Sequence, residues 1–493
     1  MDSQTVSAQR TVRDAPTAAT LKPNALGVLG ILFFVLSGQA PLTGIAGAAP
    51  LSVALGNGAG TPAAYVLAGA VILLFSVGFV AMGRHVVDAG AFYTYVGTGL
   101  GRTAGAGSAS VALFAYCVIQ ASMYGLYGSI VGALVADHTA LDLPWWVYAL
   151  VTMAVVQALG AAGIEMGARV LAVFVLAEFS ILLVFGLVTL VTGGGPEGLG
   201  VADSFSPSAA LQGAPGVAVM FAVASMFGFE ATAIYGEEAR EPKKTVPRAT
   251  YLSVVVVTGF FALTSWMLIS SYGASKAPEA AGRALAAGDS SGFVFAPIAD
   301  RFGGWAGDVL PVLLATSLFA GILTFHNSAN RYLFSLGRDG QLPAGLCRLN
   351  RRHAPWLAGC AQTVIAAALV VPFALAGKDP VVHLFSWFSG LAVLAMMLLY
   401  LLTSVSVIVF FRRRRVDDRV WNTLVAPVLG ALGLAGAIWL VLANFTTLIG
   451  GEASTALWLV LSVPVVMALG VANERVRRRR TAPPTDRSAR RPD

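Results

Sequence analysis

The stretch Ser37-Gly38-Gln39-Ala40-Pro41-Leu42-Thr43-Gly44-Ile45-Ala46-Gly47 interrupts a hydrophobic segment that begins near Leu26. A second interruption, Ser225-Met226-Phe227-Gly228-Phe229-Glu230, lies in a hydrophobic segment that begins near Val217. Backbone that leaves the helix inside a bilayer needs partners for its N–H and C=O groups, so it is tolerated only where protein buries it or where it lines a cavity. Paired breaks at matching places in two halves of a chain predict the substrate site of a transporter.

The composition predicts a membrane protein. Of the 493 residues, 57% are hydrophobic and only 12% are charged, whereas a soluble domain has about 25% charged residues. Apolar runs of about 20 residues mark membrane spans. Twelve spans are predicted, at residues 24–55, 62–82, 104–136, 144–163, 168–193, 212–236, 249–272, 308–336, 356–376, 381–411, 423–445 and 455–473.

The distribution of Lys and Arg predicts the orientation. An even number of spans places both termini on one side, and only four of the 32 Lys and Arg residues then lie on the other side: Lys276, Arg283, Arg301 and Lys378. Positive residues concentrate in cytoplasmic loops. The sequence therefore predicts a multi-pass protein of the plasma membrane with cytoplasmic N- and C-termini. The net charge of +7 reflects this orientation and contact with the lipid bilayer, and no nucleic-acid binding is expected because the basic residues are spread over separate loops.

The spans divide the chain into five parts. Residues 1–23 are predicted to be a disordered cytoplasmic tail rather than a signal peptide, and residues 474–493 a basic cytoplasmic tail. Residues 24–193 and 212–411 are predicted to be two five-helix repeats, followed by helices 11 and 12 in residues 423–473. The chain crosses the membrane an odd number of times between the two broken spans, so these run antiparallel, as inverted repeats require. The predicted fold class is an all-α membrane protein with 12 transmembrane helices, as 5+5 inverted repeats plus two extra helices.

The prolines of the first break explain why its helix should divide. Pro41 has no N–H to donate to the carbonyl of Ser37, and Pro50 likewise leaves the carbonyl of Ala46 free. Three glycines are expected to supply backbone freedom nearby: Gly38, Gly44 and Gly47. The N–H groups at a half-helix N-terminus suit a carboxylate, and opposed C-terminal carbonyls suit an ammonium or a cation. A zwitterionic α-amino acid fits both ends; the alternative is a proline kink packed against neighbouring helices.

Three motifs resemble those of the amino acid, polyamine and organocation (APC) permeases. They are Phe227-Gly228-Phe229-Glu230-Ala231-Thr232-Ala233-Ile234-Tyr235-Gly236-Glu237-Glu238, which resembles the family's sixth-segment signature, Asn330-Arg331-Tyr332-Leu333-Phe334-Ser335-Leu336-Gly337-Arg338-Asp339-Gly340-Gln341-Leu342-Pro343 after span eight, and Ala89-Gly90-Ala91-Phe92-Tyr93-Thr94-Tyr95 before span three. The resemblance implies the leucine-transporter-like fold and secondary active transport by alternating access. Thr43-Gly44-Ile45 stands where the family often has a Gly-Ser-Gly-Ile-type run, so the side chains there differ while the backbone role is kept.

Two acidic residues within spans are candidates for coupling, because charges there are costly and usually functional. Glu230 follows the second break, where the resemblance implies an acidic group linked to proton-dependent gating. Its alternative role is to accept hydrogen bonds from loose backbone N–H groups. Glu178 lies nine residues beyond Arg169, about 13 Å into a core about 30 Å thick. Related permeases often have a lysine there, so we expect Glu178 to hold a proton or attract a cation, or to be a neutral buried acid.

One face of span three is expected to meet the substrate. Tyr116, Gln120, Tyr124 and Tyr127 recur at steps of four, four and three residues, so they share one helix face. The resemblance implies substrate contact for Tyr116 and Gln120, and Tyr124 extends the same face. The alternative is a packing face whose polar groups are satisfied by neighbours. Phe229 and Phe325 are candidate gate aromatics, and the alternative is that they only pack against neighbouring helices.

The predicted site combines these residues. The expected substrate-binding residues are Gln39, Ala40, Pro41, Thr43, Gly44, Ile45, Tyr116, Gln120, Tyr124, Ser225, Phe227, Gly228, Phe229 and Phe325, and the coupling residues are Glu230 and Glu178. The first break is expected to bind the carboxylate of an amino acid, and the second its amine. The resulting prediction is a permease that imports an amino acid by proton symport; a polyamine or other amine importer and an amino acid exchanger are the alternatives.

An enzyme is not expected. The five histidines are scattered at positions 85, 138, 326, 353 and 383, and the three cysteines form no disulfide or metal motif. We expect no cofactor and no bound metal. The oligomeric state and the particular amino acid are not indicated by the sequence.

Overall fold

The computed structural model describes residues 26–86, 92–287, 289–449 and 453–481. In this part of the chain the regular structure is helical, and the β contacts are two isolated bridges, Leu26 with Ala239 and Gly195 with Gly198. The predicted tail 1–23 and the motif residues Ala89, Gly90 and Ala91 lie outside the described residues.

The principal helices are mainly apolar and differ in length. They are α1 (Val28–Gly56), α2 (Thr61–Gly83), α3 (Arg102–His138), α4 (Trp145–Ala162), α5 (Ile164–Val191), α6 (Pro215–Ser225), α7 (Pro242–Tyr272), α8 (Trp305–Arg338), α9 (Trp356–Leu375), α10 (Ser386–Arg414), α11 (Ala426–Ala443) and α12 (Ala453–Thr481). Shorter helices include Phe92–Leu100, Ala231–Ile234, Ala277–Ala286, Gly292–Phe302 and Phe445–Ile449. Within the described residues, ten helical segments are long and apolar enough to cross a membrane, and Val175–Val191 and Pro215–Ser225 are shorter apolar helices.

Burial separates a central helix from a peripheral one. Of the apolar part of α3, 83% is buried, compared with 17% for α12. α3 packs against α8, α10 and α12, whereas α12 leaves large apolar side chains such as Trp458 exposed. Exposed apolar side chains on outer helices suit contact with lipid, so α3 forms the centre of the bundle.

The helix ends meet on two opposite faces. On one face the Leu26 N–H donates to the Glu238 carbonyl at 3.0 Å, and the Arg477 guanidinium donates to the Asp339 carbonyl at 2.9 Å. We call this the basic face. On the opposite face, where α1 ends and α6 begins, the Ala214 N–H donates to the Gly56 carbonyl at 3.0 Å. α1 and the segment that starts with α6 therefore run antiparallel.

α12 extends past the predicted end of the last span. The basic tail is predicted to begin at residue 474, and α12 continues into it as far as Thr481. Glu474 forms ion pairs with Arg477 and Arg478, at 3.1 Å and 3.0 Å, one helical turn away. Such pairs stabilise a helix, and they explain why these residues rich in Arg remain helical. Residues 482–493 lie outside the described residues.

Candidate functional site

The first break lies at Ala40. Gln39 ends the first half of α1, and Ala40 adopts φ 42° and ψ 73°, in the left-handed region, before Pro41 begins the second half. A residue before proline is disfavoured in the right-handed helical region. The helix therefore divides at Ala40, next to Pro41, whose missing N–H predicts the break. Two wide π-helical turns, Gly44–Ala48 and Ser52–Gly56, flank Pro50, and such turns accommodate a change in the hydrogen-bond ladder.

The glycines of the first break allow close packing rather than unusual backbone conformations, which corrects the role predicted for them. Gly38, Gly44 and Gly47 are not among the described residues with positive φ. A Cβ on Gly38 would lie 3.0 Å from Cγ2 of Thr324, and a Cβ on Gly44 would lie 2.5 Å from Cε1 of Phe261. These glycines therefore let α7 and α8 approach the broken helix.

The second break is organised around the carboxyl group of Glu230, which is fully buried. Its Oε2 accepts hydrogen bonds from the Gly228 N–H at 3.0 Å and the Tyr400 hydroxyl at 3.0 Å, and its Oε1 accepts one from the Tyr116 hydroxyl at 2.9 Å. Gly228 has φ 107°, a conformation that favours glycine. The carboxyl group thus joins the turn at Met226–Glu230 to α3 and α10.

The two breaks touch each other. A Cβ on Gly228 would lie 3.6 Å from the carbonyl carbon of Gly38, and the Gln39 side-chain amide donates to the Met226 carbonyl at 3.3 Å. Because neither glycine has a side chain, the two backbones approach closely at this crossing. The broken spans therefore meet in the interior of the bundle, as transporter sites do.

Glu178 contacts the first break rather than the second. Its Oε2 accepts hydrogen bonds from the Leu42 N–H at 3.2 Å and from the Ser317 hydroxyl at 2.6 Å. The Ser317 hydroxyl oxygen in turn accepts from the Thr43 N–H at 3.3 Å. Side chains commonly satisfy the free N–H groups at the start of a helix. The N–H groups of Leu42 and Thr43, which were predicted to be available to a carboxylate, therefore already have partners in the chain.

A small cavity of about 60 Å³ lies between the two breaks, α3, α8 and the start of α10. Its lining residues are Gly38, Gln39, Ala40, Thr43, Gly44, Ala48, Ile119, Met123, Phe221, Ala224, Ser225, Phe227, Phe325, Phe385 and Ser389. None of these described lining residues is charged. This volume is about that of two water molecules and is well below the roughly 300–1,000 Å³ of a pocket for a drug-sized ligand, so the space between the breaks is small and mainly apolar.

The structure brings some of the predicted binding residues to this cavity and leaves others outside its lining. The predicted residues that line it are Gln39, Ala40, Thr43, Gly44, Ser225, Phe227 and Phe325. Those outside the lining are Pro41, Ile45, Tyr116, Gln120, Tyr124, Gly228 and Phe229, together with Glu178 and Glu230.

Residues outside the lining have other partners. The Gln362 side-chain amide donates to Oε1 of Gln120 at 2.6 Å, and Gln120 donates to the Tyr124 hydroxyl at 3.4 Å, which joins α3 to α9. The Phe229 ring packs against Tyr400, with centroids 5.4 Å apart. The Tyr116 ring lies behind the cavity wall, 6.2 Å from the ring of Phe325.

Several lining residues were not predicted from the sequence. In α3 they are Ile119 and Met123, each one position before a predicted polar residue. A step of one residue rotates a helix face by about 100°, so the apolar stripe rather than the polar one points into the cavity. Phe385 and Ser389 lie where the π-helical turn Pro380–Phe385 joins α10. Pro380 was the available signal for this irregular region.

A buried ion pair lies on the basic face. The Arg331 guanidinium lies against the Glu238 carboxylate, with Nη2 donating to Oε2 at 3.2 Å, and both residues are at most 5% exposed. Arg331 also donates to the Asn327 carbonyl at 3.1 Å and lies 4.6 Å from the centroid of the Tyr235 ring. We call Glu238, Arg331 and Tyr235 the latch. It joins the segment after the second break to α8.

Comparisons with known proteins agree with this architecture. The family described as "Amino acid permease" matches residues 26–469. The branched-chain amino acid permease BcaP of Lactococcus lactis is 24% identical over 267 residues, which cover 52% of this chain and 50% of that protein. The histidine permease of Saccharomyces cerevisiae is 26% identical over 299 residues, covering 56% and 47%. The Asc-type amino acid transporter 1 of Mus musculus is 30% identical over 117 residues, covering 24% and 20%. The chain thus spans about half the length, or less, of these curated relatives.

Proposed function

Because the chain belongs to the amino acid permease family, we propose that it is a secondary active transporter that imports an amino acid with a neutral, apolar side chain. One observation carries the choice of substrate: the cavity between the breaks is lined mainly by apolar side chains, and none of its described lining residues is charged. A charged substrate side chain buried there would lack a partner, which costs free energy. The similarity to a branched-chain amino acid permease supports the same substrate class.

The proposed cycle alternates access between the two faces. The chain is a multi-pass membrane protein, and the excess of Lys and Arg on the basic face supports cytoplasmic termini in the plasma membrane. The buried ion pair of the latch lies on the basic face, and in the proposed cycle Glu238 and Arg331 separate to let the substrate reach the cytoplasm. Buried carboxyl groups in membrane helices commonly take part in proton relays, and Glu230 and Glu178 are the proposed carriers of a coupled proton.

A polyamine or other organic amine is the second candidate substrate. It is favoured by the first break, where the N–H groups of Leu42 and Thr43 already donate to Glu178 and Ser317. A ligand without a carboxylate would leave those bonds undisturbed. Against it, neither Glu178 nor Glu230 lines the cavity, so no carboxylate faces a bound ammonium group. Exchange of amino acids on the same scaffold is the third candidate.

Transport by purified protein in liposomes tests the proposal. Vesicles are given labelled leucine, alanine, histidine, lysine, glutamate and putrescine, with and without a proton gradient that is acidic outside. We expect accumulation of leucine or alanine above the external concentration, and loss of accumulation when a protonophore collapses the gradient. Uptake that requires internal amino acid would instead support exchange, and accumulation of putrescine alone would contradict the proposed substrate.

Filling the cavity tests its location. Ala48 lines the cavity, so Ala48→Leu adds three carbon atoms to a space of about 60 Å³. We expect loss of leucine uptake because overpacking a closed space leaves no room for the substrate. The matched control is Ala154→Leu on the exposed face of α4, which should transport like the unmodified protein. Equal uptake by both variants, at equal amounts of folded protein, would place the substrate elsewhere.

A further inference from the structure

We propose that the side-chain carboxyl of Glu178 occupies the hydrogen-bond donors that a substrate carboxylate would use, so that Glu178 must release them when an amino acid binds. The inference rests on the proposed function, because it concerns a substrate that carries a carboxylate. It assigns to Glu178 the role of an internal competitor for the start of the second half of α1.

The geometry of the first helical turn limits which donors are available. Pro41 has no N–H, so the first donors of the second half are the N–H groups of Leu42, Thr43 and Gly44. The Leu42 N–H donates to Glu178 at 3.2 Å. The Thr43 N–H donates to Ser317, whose hydroxyl donates to Glu178 at 2.6 Å. The Gly44 N–H donates to the Ala40 carbonyl at 2.9 Å. All three donors are therefore in use.

The same turn is where the substrate would bind. Thr43 and Gly44 line the cavity, and the N-terminus of a helix attracts anions through its N–H groups and dipole. A second carboxylate would meet the Glu178 carboxylate over the same few donors, and like charges at short range repel strongly in a buried site. A proton on Glu178 removes that repulsion. Binding of the substrate carboxylate and of one proton would consequently favour each other.

A second observation at Glu178 also indicates an incomplete arrangement. The side chain is fully buried, and its Oε1 has no hydrogen-bond partner in the described part of the chain. An unsatisfied buried acceptor costs about 1–3 kcal/mol, so a fixed structural cap would be expected to pair both oxygens. Oε1 is thus the atom that can accept a proton without breaking an existing bond.

Within the described residues, no ion pair holds Glu178 in place. Among the described residues, α5 packs against α1, α4, α7 and α8, and none of these helices forms an ion pair with Glu178. α1 carries no titratable side chain and α4 carries only Tyr148. The titratable or charged groups of α7 are Lys243, Lys244, Arg248, Tyr251 and Tyr272. Those of α8 are Asp308, His326, Arg331, Tyr332 and Arg338, of which His326 contacts Gln157 and Arg331 contacts Glu238.

Binding of a matched pair of ligands tests the inference. L-leucine and isoamylamine share the same side chain and amine, but only leucine has a carboxylate. Binding of each to purified protein is measured from about pH 5.5 to about pH 8.5, a range that leaves both amines charged. In the unmodified protein we expect the affinity for leucine to rise about tenfold for each pH unit lowered while Glu178 is ionised, because one proton binds with each substrate.

Two variants separate competition from a structural role. Glu178→Gln keeps an acceptor for the Leu42 N–H but carries no charge, so its affinity for leucine should vary less than about twofold over the same range. Isoamylamine should bind both proteins equally, without the pH dependence. Glu279→Gln removes an exposed carboxylate that pairs with Arg283 and should keep the pH profile of the unmodified protein.

Infrared difference spectra give a second readout that does not require transport. Leucine, but not isoamylamine, should shift a carboxyl band that is absent from the Glu178→Gln variant. The same leucine profile in the unmodified protein and in Glu178→Gln, or a band shift with both ligands, would overturn the inference while leaving amino acid transport intact. Binding of isoamylamine with no binding of leucine or any other amino acid would instead overturn the proposed function and, with it, this inference.

Discussion

Gly228 is the residue at which the second break turns. Its φ of 107° is strained for any residue with a Cβ, although a Cβ there would lie no closer than 3.6 Å to its neighbours. We expect Gly228→Ala to lower the free energy of unfolding by about 1–3 kcal/mol through backbone strain. Chemical unfolding of the purified protein in detergent measures this. Gly259→Ala is the control, because Gly259 lies within α7 with open space around it, and it should be neutral or stabilising.

The hydroxyl groups of Tyr116 and Tyr400 make a second prediction at the residue scale. Each donates to the buried carboxyl of Glu230. Replacing either tyrosine with phenylalanine keeps the ring and removes the donor, so we expect a loss of about 1–3 kcal/mol in the free energy of unfolding. The Tyr148 hydroxyl has no partner in the described residues, so Tyr148→Phe should cost little. A comparable loss in all three variants would show that the hydrogen bonds to Glu230 do not hold the break together.

The residues of the first break show what could be predicted at this scale. Pro41 indicates where the helix divides, because the rule depends on one residue and its neighbour. The role of Gly44 could not be predicted, since it depends on the ring of Phe261, which is more than 200 positions away in the chain. The contact of Glu178 with Leu42 is of the same kind. Local chemistry predicts the break, and only the folded structure shows what fills it.

At the scale of helices, the latch should dominate the closure of the basic face. Arg331→Met leaves Glu238 buried without a partner, which should cost about 3–5 kcal/mol. Adding Glu238→Gln to this variant removes the unpaired charge and should restore part of the loss, as a double-mutant cycle measured by chemical unfolding would show. Arg283→Ala breaks the exposed pair with Glu279 and should cost less than about 1 kcal/mol. Additive effects of the two latch substitutions would contradict direct pairing.

The same latch substitutions should also make the basic face more accessible, an effect that a loss of stability alone does not explain. With Glu238 and Arg331 both replaced, the basic face should open more often, since separation of these groups is the step that the ion pair opposes. We expect faster labelling, by a membrane-impermeant thiol reagent added from the basic side, of a cysteine introduced at Ser328. Unchanged labelling in folded protein would mean that other contacts close this face.

Helix positions were predicted better than helix faces. The apolar runs indicated the ten long apolar helices of the described residues, because hydrophobic length alone separates a membrane helix from a loop. The predicted spans 168–193 and 212–236 contain the shorter apolar helices Val175–Val191 and Pro215–Ser225. The face of α3 was harder, since Tyr116 and Gln120 share a stripe as clearly as Ile119 and Met123 do, and periodicity does not show which stripe meets the cavity. The helical extension of α12 to Thr481 was not predicted, because its arginines resemble a solvated tail, whereas Glu474 pairs with them along the helix.

At the scale of the whole molecule, the charge distribution predicts the orientation. Most Lys and Arg residues lie on the basic face, so we predict that this face is cytoplasmic. Green fluorescent protein fused after Thr481, at the end on this face, should therefore fluoresce. Alkaline phosphatase inserted at Lys378, on the opposite face, should be active, because this enzyme is active only outside the cytoplasm. The reverse pattern would invert the molecule and make the proposed import an export.

Properties of the whole chain could be predicted from the sequence, whereas the size and the lining of the cavity could not. Charge asymmetry and paired breaks are properties of the chain as a whole, so they survive small errors in span boundaries. The size of the cavity depends on side chains from several elements at once, among them Phe227, Phe325 and Phe385. No local pattern encodes their joint position, which is why the sequence predicted a site between the breaks but not its size or its apolar character.

The backbone bridge at Leu26 fixes the start of the described chain to the segment that carries Glu238 of the latch. Its N–H donates to the Glu238 carbonyl at 3.0 Å, and its carbonyl accepts from the Arg240 N–H at 2.7 Å. Main-chain bonds of this kind do not depend on side-chain identity, so they hold Leu26 beside Glu238 whatever residue stands at position 26. In the proposed transport cycle Leu26 should therefore move together with Glu238, and a spectroscopic label at Leu26 should report the separation of the latch.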